Sequence, residues 1–246
     1  MKYLRKFDSV SDMQTAIANT EIDFIGLAYD NGEPKINIAT VQSEPTYEYV
    51  KIGGLKWATK NVGARTETDA GLYFQWGDTN GYTSDQVSLG EKVFAEDFSD
   101  YKYYENGMFT KYNSTDSKTE LDLEDDAAHV NIGGDWMMPT KDDWQSLINN
   151  TTSEWVTNYN GSGVNGRLFT DKTDSNKKLF FPASGYCCDG SVLDVDRYGD
   201  VWGCSLRSSD VSSAWSFNLY SGEAYVDHFD RCVGLVVRGV QVLNLN

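Results

Sequence analysis

The sequence predicts an α+β fold with few helices, short strands and long loops. Three observations predict it. Beyond residue 45, short runs rich in Val, Phe, Tyr and Trp alternate with clusters of Gly, Asn and Asp, the texture of strands broken by turns. Only Pro139–Ile148 in that stretch carries a clear helical signature. The 13% aromatic and 24% charged residues are those of a folded chain, not a disordered one.

Taken in order, residues 1–20 read as a short helix, because Leu4, Phe7, Val10, Met13 and Ile17 recur at three- and four-residue steps. Asp30-Asn31-Gly32 is a turn signal between two apolar runs and predicts a hairpin. Ser43-Glu44-Pro45 reads as a linker. It divides an arm, residues 1–45, from a domain, residues 46–246. The arm is too small to bury much of a core. It is either an attachment or assembly element or a segment packed on the domain. A weaker helix is expected over Glu91–Phe98, and polar, aromatic loops over residues 99–125. In the clear helix, Thr140 is the expected N-cap, Asp142 and Asp143 fill the first turn, and Trp144, Leu147 and Ile148 form the buried stripe. Short strands and loops complete the chain.

Charge narrows the function classes. Lys and Arg total 21 against 37 Asp and Glu, a net charge of −16. Nucleic-acid partners are not expected, since no basic footprint is present to displace counterions. No apolar run approaches the roughly 18 residues of a membrane span, so membrane insertion is not expected. The opening MKYLRKFDSVSDMQ has a basic start without an apolar core after it and does not read as a secretory signal. The four cysteines, Cys187, Cys188, Cys204 and Cys232, lack C-x-x-C spacing and are expected to be free thiols.

A search for chemistry returns little. Only His129 and His228 could serve a nucleophilic triad, and no G-x-S-x-G, H-E-x-x-H or phosphate-cradling loop occurs. The run Asp122–Asp126 suits a solvated acidic turn better than a calcium loop. Trp57, Trp76, Trp136, Trp144 and Trp155 sit in mixed apolar stretches and are expected in the core, with Trp202 and Trp215 more open. No catalytic residue, metal or cofactor is expected.

Four stretches in order carry a resemblance: Ile52–Ala64 (IGGLKWATKNVGA), Gly71–Asp78 (GLYFQWGD), Gly133–Thr140 (GGDWMMPT) and Phe180–Tyr186 (FFPASGY), closed by Gly234–Val240 (GLVVRGV). Over about residues 47–240 the chain resembles the Fibrobacter major paralogous domain, itself similar to the formylglycine-generating-enzyme branch of the C-type lectin fold. More narrowly it looks like the variable proteins of diversity-generating retroelements in gut Bacteroidales and their phages. The resemblance implies a C-type-lectin-like fold with a variable region, here residues 187–233. The family's Tyr-Trp-Ser-Ser-type stretch reads Val201-Trp202-Gly203-Cys204-Ser205 in this chain, a change that replaced adenines in Ser codons would give. Adenine mutagenesis of an AAC codon never yields Lys, Gln, Met, Trp or Glu, and residues 187–233 contain no Lys, Gln or Met, with Trp202, Trp215 and Glu223 as the exceptions. The last lysine is Lys178. The paired cysteines of the enzyme branch do not map onto the four cysteines here, so that oxidase activity is not carried over.

A site that meets changing partners needs a rigid frame and permissive exposed positions. The candidate ligand contacts are Asp194, Asp196, Arg197, Tyr198, Asp200, Gly203, Cys204, Arg207, Ser209, Asp210, Trp215, Asn218, Tyr220, Tyr225, Asp227, His228, Phe229, Asp230, Cys232 and Val233. Tyr198, Trp215, Tyr220, Tyr225 and Phe229 would anchor, and Arg197 and Arg207 would offer forked donors to carboxylates. Trp202, Gly234, Leu235, Val237 and Arg238 would hold the frame. The expected partner is a host cell-surface receptor, protein or glycan. The expected location is the virion, in a phage or prophage tail, with the arm as a candidate for assembly into a homo-oligomer such as a trimer. A bacterial surface adhesin of the same fold, without diversification, is the alternative.

Overall fold

The computed structural model describes residues 3–6, 9, 24–30, 33–39 and 47–243. The chain divides into two units, Met1–Thr46 and Tyr47–Asn246. In the first unit, β1 (Tyr3–Lys6) runs parallel to β2 (Phe24–Asp30), which pairs antiparallel with β3 (Glu33–Ala39). Asp30 faces Glu33 across the β2–β3 ladder, so the expected hairpin is present. The helix expected over residues 1–20 is corrected at Tyr3–Lys6, where pairing with β2 gives a strand. A short helix is marginal alone, and a ladder satisfies the same backbone groups at once. Most of that expected helix lies outside the described residues.

The second unit is rich in sheet and poor in helix. β4 (Tyr49–Ile52) and β5 (Leu55–Ala58) form a hairpin, followed by β6 (Tyr73–Phe74). The helix α1 (Ser84–Ser88) opens on a capping box, Thr83 with Gln86. Short β7 (Tyr104–Glu105) and β8 (Met108–Phe109) precede α2 (Ala127–Ile132) and α3 (Lys141–Asn150). Then come β9 (Thr151–Val156), β10 (Gly166–Asp171), β11 (Lys178–Pro182), β12 (Tyr186–Cys188) and β13 (Ser191–Leu193). The chain closes through β14 (Tyr198–Leu206), β15 (Ser213–Tyr220), β16 (Ala224–Asp230), β17 (Leu235–Val237) and β18 (Val240–Val242). The central sheet has the order β16-β15-β14-β17-β6, flanked by sheets β18-β5-β4 and β11-β10-β9.

The expected helix forms as α3, with Thr140 and Asp143 in a reciprocal capping box and Trp144 and Leu147 buried. The helix expected over Glu91–Phe98 does not form. Phe94 and Phe98 adopt φ of 57° and 62°, which a right-handed helix cannot contain. That turn drives Phe94 fully into the core.

Apolar residues alternate across the central sheet and feed two cores. Val201, Phe217 and Leu219 meet Trp144, Phe169 and Phe181 on one side, where the Trp144 and Phe217 rings stack at 4.6 Å. Trp202, Leu206 and Ala214 meet Trp76 and Tyr112 on the other. Trp202, expected to be more open, is fully buried and its Nε1 donates to the Phe74 carbonyl at 2.8 Å. The four cysteines are free and buried.

Two arginines, each 0% exposed, tie distant segments together. Arg238 donates from Nε to Asn61 Oδ1 (2.9 Å), from Nη1 to the Ala58 carbonyl (2.9 Å) and from Nη2 to the Phe180 carbonyl (3.2 Å). Its guanidinium sits 4.4 Å from the centre of the Phe181 ring. Burial pushes its pKa down to about 9. Arg231 donates to the Tyr101 hydroxyl and to the carbonyls of Tyr112, Val211 and Lys111.

The acidic run also departs from the solvated turn expected of it. Asp125 is buried and accepts from Lys102, Lys111, Tyr103 and Tyr112. Burial alone would raise its pKa, but these donors outweigh it and hold the carboxyl well below the usual range. Lys111 also reaches Asp122 at 2.7 Å and Glu124 at 3.2 Å, so an ammonium stands at the centre of the carboxylate cluster. Asp126 caps α2 and accepts from the Met138 N–H at 2.8 Å. No helix among the described residues is long and apolar enough to cross a membrane.

Replacing Arg238 leaves the Ala58 and Phe180 carbonyls buried without a donor. R238A is therefore expected to lose about 3–5 kcal/mol in urea unfolding. The exposed-site control K51A should stay within about 0.5 kcal/mol of the parent.

Candidate functional site

The twenty candidate contacts fall on β14, β15, β16 and the turns around them, and the register decides which of them meet. Tyr198 pairs with Tyr220, Asp200 with Asn218 and Trp202 with Ser216. Asn218 pairs in turn with Tyr225, Ser216 with Asp227 and Ala214 with Phe229. Alternation then puts Tyr198, Asp200, Asn218, Tyr220, Tyr225, Asp227 and Phe229 on one face. The inner end of this face is closed by the core around Trp202. The outer end stays open, with Tyr198, Tyr220, Tyr225 and Asp227 half-buried.

Local structure fixes each of these side chains. Asp194 and Asp196 adopt φ of 56° and 63°, tolerable for Asp, and turn the chain into β14. The Tyr198 N–H donates to the Asp194 carbonyl at 3.0 Å. Tyr198 and Tyr220 stack at 5.8 Å, and Tyr225 meets Tyr220 edge-on at 6.3 Å. Arg167 on β10 pins the Tyr220 carbonyl at 2.8 Å, bracing the hairpin from behind. Trp155, Asp196, Arg197, Tyr198, Tyr220 and Ser221 line a groove of about 230 Å³ at the rim.

Asp200 lies in the middle of the face and is only 2% exposed. No hydrogen-bond donor or cation among the described residues reaches its carboxylate. Desolvation first, then the charges of Asp194 and Asp227, push its pKa up to about 7. Burial, followed by Asp227 and Asp200, raises the Tyr225 phenol as well. Asp194 is held by Arg197 at 3.1 Å, and Asp227 by His228 Nδ1 at 2.7 Å. Ser216 donates to Asn218 Oδ1 at 2.7 Å.

The other candidates divide into two groups. Trp215 and His228 point to the opposite side of the sheet, rings 6.3 Å apart, where Lys141 Nζ sits 3.7 Å from the Trp215 ring centre. Asp230 accepts there from Ser213. Arg207, Ser209 and Asp210 form the β14–β15 loop, where Arg207 and Asp210 pair at 3.3 Å. Both arginines read as forked donors thus hold an Asp three residues away in their own turn.

Gly203, Cys204, Asn218, Cys232 and Val233 are corrected: all five are buried and none offers a surface contact, and Asp200, also read as a contact, is buried as deeply. A Cβ at Gly203 would lie 3.0 Å from the Pro139 carbonyl and 3.2 Å from Trp144 Nε1. Cys204 accepts from the Leu121 N–H and packs beside Trp202. Cys232 is fully enclosed, with Sγ 3.7 Å from the Glu96 carbonyl. Burial pushes the thiols of Cys187, Cys188 and Cys232 up to about 12, leaving them protonated and poor nucleophiles at neutral pH.

Sequence reasoning missed Tyr186, Trp155 and Arg167. Tyr186 packs on Phe229 at 5.6 Å, and its phenol is raised by burial and by Asp194. It closes the FFPASGY stretch, one residue before the segment 187–233. Trp155 passed for core, yet it is half-buried on the rim. No family model, curated protein or solved structure matches the chain.

The raised pKa of Asp200 has a measurable sign. In the folded state Asp200 keeps its proton up to about pH 7, while in the unfolded chain it loses it near 3.9. The folded state binds more protons in that window, so stability falls as pH rises through it. D200N is expected to be more stable than the parent at pH 8, on the order of 2–4 kcal/mol, and to lose the advantage by pH 4. Denaturant midpoints across pH 4–8 measure this; a difference that does not change with pH would refute it.

Proposed function

We propose that this protein is a non-catalytic receptor-binding protein. It presents the open end of the β14–β16 face to a host cell-surface receptor from a C-type-lectin-like scaffold of the formylglycine-generating-enzyme branch. One observation carries the reading: half-buried tyrosines and acids gather on one sheet face, inside the segment that lacks Lys, Gln and Met. Rigid aromatic side chains give contact area at low entropy cost, and Asp, Ser and Asn adapt their hydrogen bonds, as in antibody loops. The buried Arg231, Arg238 and Trp202 support the same division of labour, with a fixed frame beneath a permissive surface. The fold assignment rests on the ordered motifs, on the scarcity of helix and on the sheet-rich architecture. A place in a phage or prophage tail, with residues 1–45 as the attachment and assembly element, follows from the same resemblance.

Two measurements test the reading. Amplicon sequencing of codons 180–240 across the source population should find substitutions confined to adenine-bearing template positions. Within this face they should concentrate at the open positions. Labelled protein should bind bacteria of the source community, and Y220A should weaken that binding by roughly tenfold or more without lowering the melting temperature. Uniform sequence together with unchanged binding by Y220A would remove the proposal.

A further inference from the structure

We infer that the face around Asp200 takes an alkylammonium group, presented as a lysine side chain of a protein receptor; this deepens the receptor-binding reading and rests on it. The central observation is an unpartnered carboxylate. Asp200 is 2% exposed and receives no hydrogen bond or cation from the described residues. Its neighbours Asp194 and Asp227 each have a partner, Arg197 and His228. A carboxylate left in this state is costly to ionise unless a cation from outside completes it.

The carboxylate is nearly enclosed but not sealed. The single fully enclosed side-chain polar atom without a partner, among the described residues, is Trp144 Nε1, so the Asp200 oxygens keep a small accessible area within the 2% that the residue exposes. Tyr198 lies two residues before Asp200 on the same face and stacks on Tyr220, which Tyr225 meets edge-on, so rings of a kind that attracts cations stand on the same face as the carboxylate. Every charge that raises Asp200 is negative, and the chain carries a net −16, so a cation is steered inward. An ammonium on a slender four-carbon stem fits a deep carboxylate better than a planar fork does. The protein's own neighbouring guanidinium, Arg197, stops at the rim on Asp194, 6.0 Å from the Tyr198 ring centre.

The full-length chain, D200N and Y220A would be titrated at pH 8 with Nα-acetyl-lysine N-methylamide and its arginine and norleucine counterparts, following tyrosine resonances by NMR. The lysine compound is expected to shift Tyr198, Tyr220 and Tyr225, and D200N to weaken it at least tenfold. D200N is predicted to be more stable than the parent, so lost binding is not lost folding. Parent affinity should rise roughly tenfold from pH 6 to 8 as Asp200 ionises. The groups facing it through that window are Asp194 and Arg197 in the preceding turn, Tyr198, Tyr220 on β15, Tyr225 and Asp227 on β16, and Tyr186 on β12. Equal binding of norleucine, tighter binding of arginine, no binding, or an unaffected D200N would each overturn the inference. Acetylating the lysines of receptor-bearing bacteria should abolish attachment of the labelled protein. If D200N attaches normally while Y220A does not, the ammonium assignment fails and the recognition face stands. If both attach normally, the face itself fails.

Discussion

Burying a guanidinium with no carboxylate beside it is expensive, and this domain does so twice. Arg238 and Arg231 are satisfied by carbonyls, an asparagine and a tyrosine hydroxyl, with aromatic rings against their faces. Short strands supply few ladder bonds, so loops of this length need anchors from elsewhere. The two arginines provide them. One reaches Ala58, Asn61 and Phe180, the other Tyr101, Lys111, Tyr112 and Val211. Each fixes the backbone of a segment more than a hundred residues away in sequence, Ala58 for Arg238 and Lys111–Tyr112 for Arg231, and of a nearer one. The sheet that carries the open face is held by the same contacts.

What could be read in advance follows the range of the interaction that decides it. Thr140 and Asp143 specify the start of α3 through bonds three residues apart, so that helix was legible. Asp30-Asn31-Gly32 marked a hairpin for the same reason. The burial of Trp202 and Cys204 depends on Phe74, Pro139 and Leu121, which are near only after folding. The left-handed turns at Phe94 and Phe98 replace an expected helix because core packing overrides local pattern there.

The candidate site was legible as a segment and illegible as a surface. Composition marked residues 187–233, and the alternation of β14 makes Asp200 and Tyr198 neighbours on one face. That alternation is interrupted between Trp202 and Leu206, where the ladder shifts register. Without the pairing partners, nothing separates Gly203 and Cys204 from the residues before them. Tyr186 and Trp155 lay outside the marked segment and reach the face only through tertiary packing.

The pairing of β17 with β6, and of β18 with β5, joins residues near 240 to residues near 55 and 74. A growing polypeptide therefore cannot complete the central sheet until Val237 has emerged from the ribosome, nor the β18-β5-β4 sheet until Val242 has. Until then Trp57, Tyr73 and Phe74 lack the strands that cover them. Such long-range closure makes folding slow and leaves apolar surface open to chaperones or to neighbouring chains. Changes on the outer turns of β14–β16 leave those late contacts untouched, so surface variation and the order of assembly are separable in this architecture.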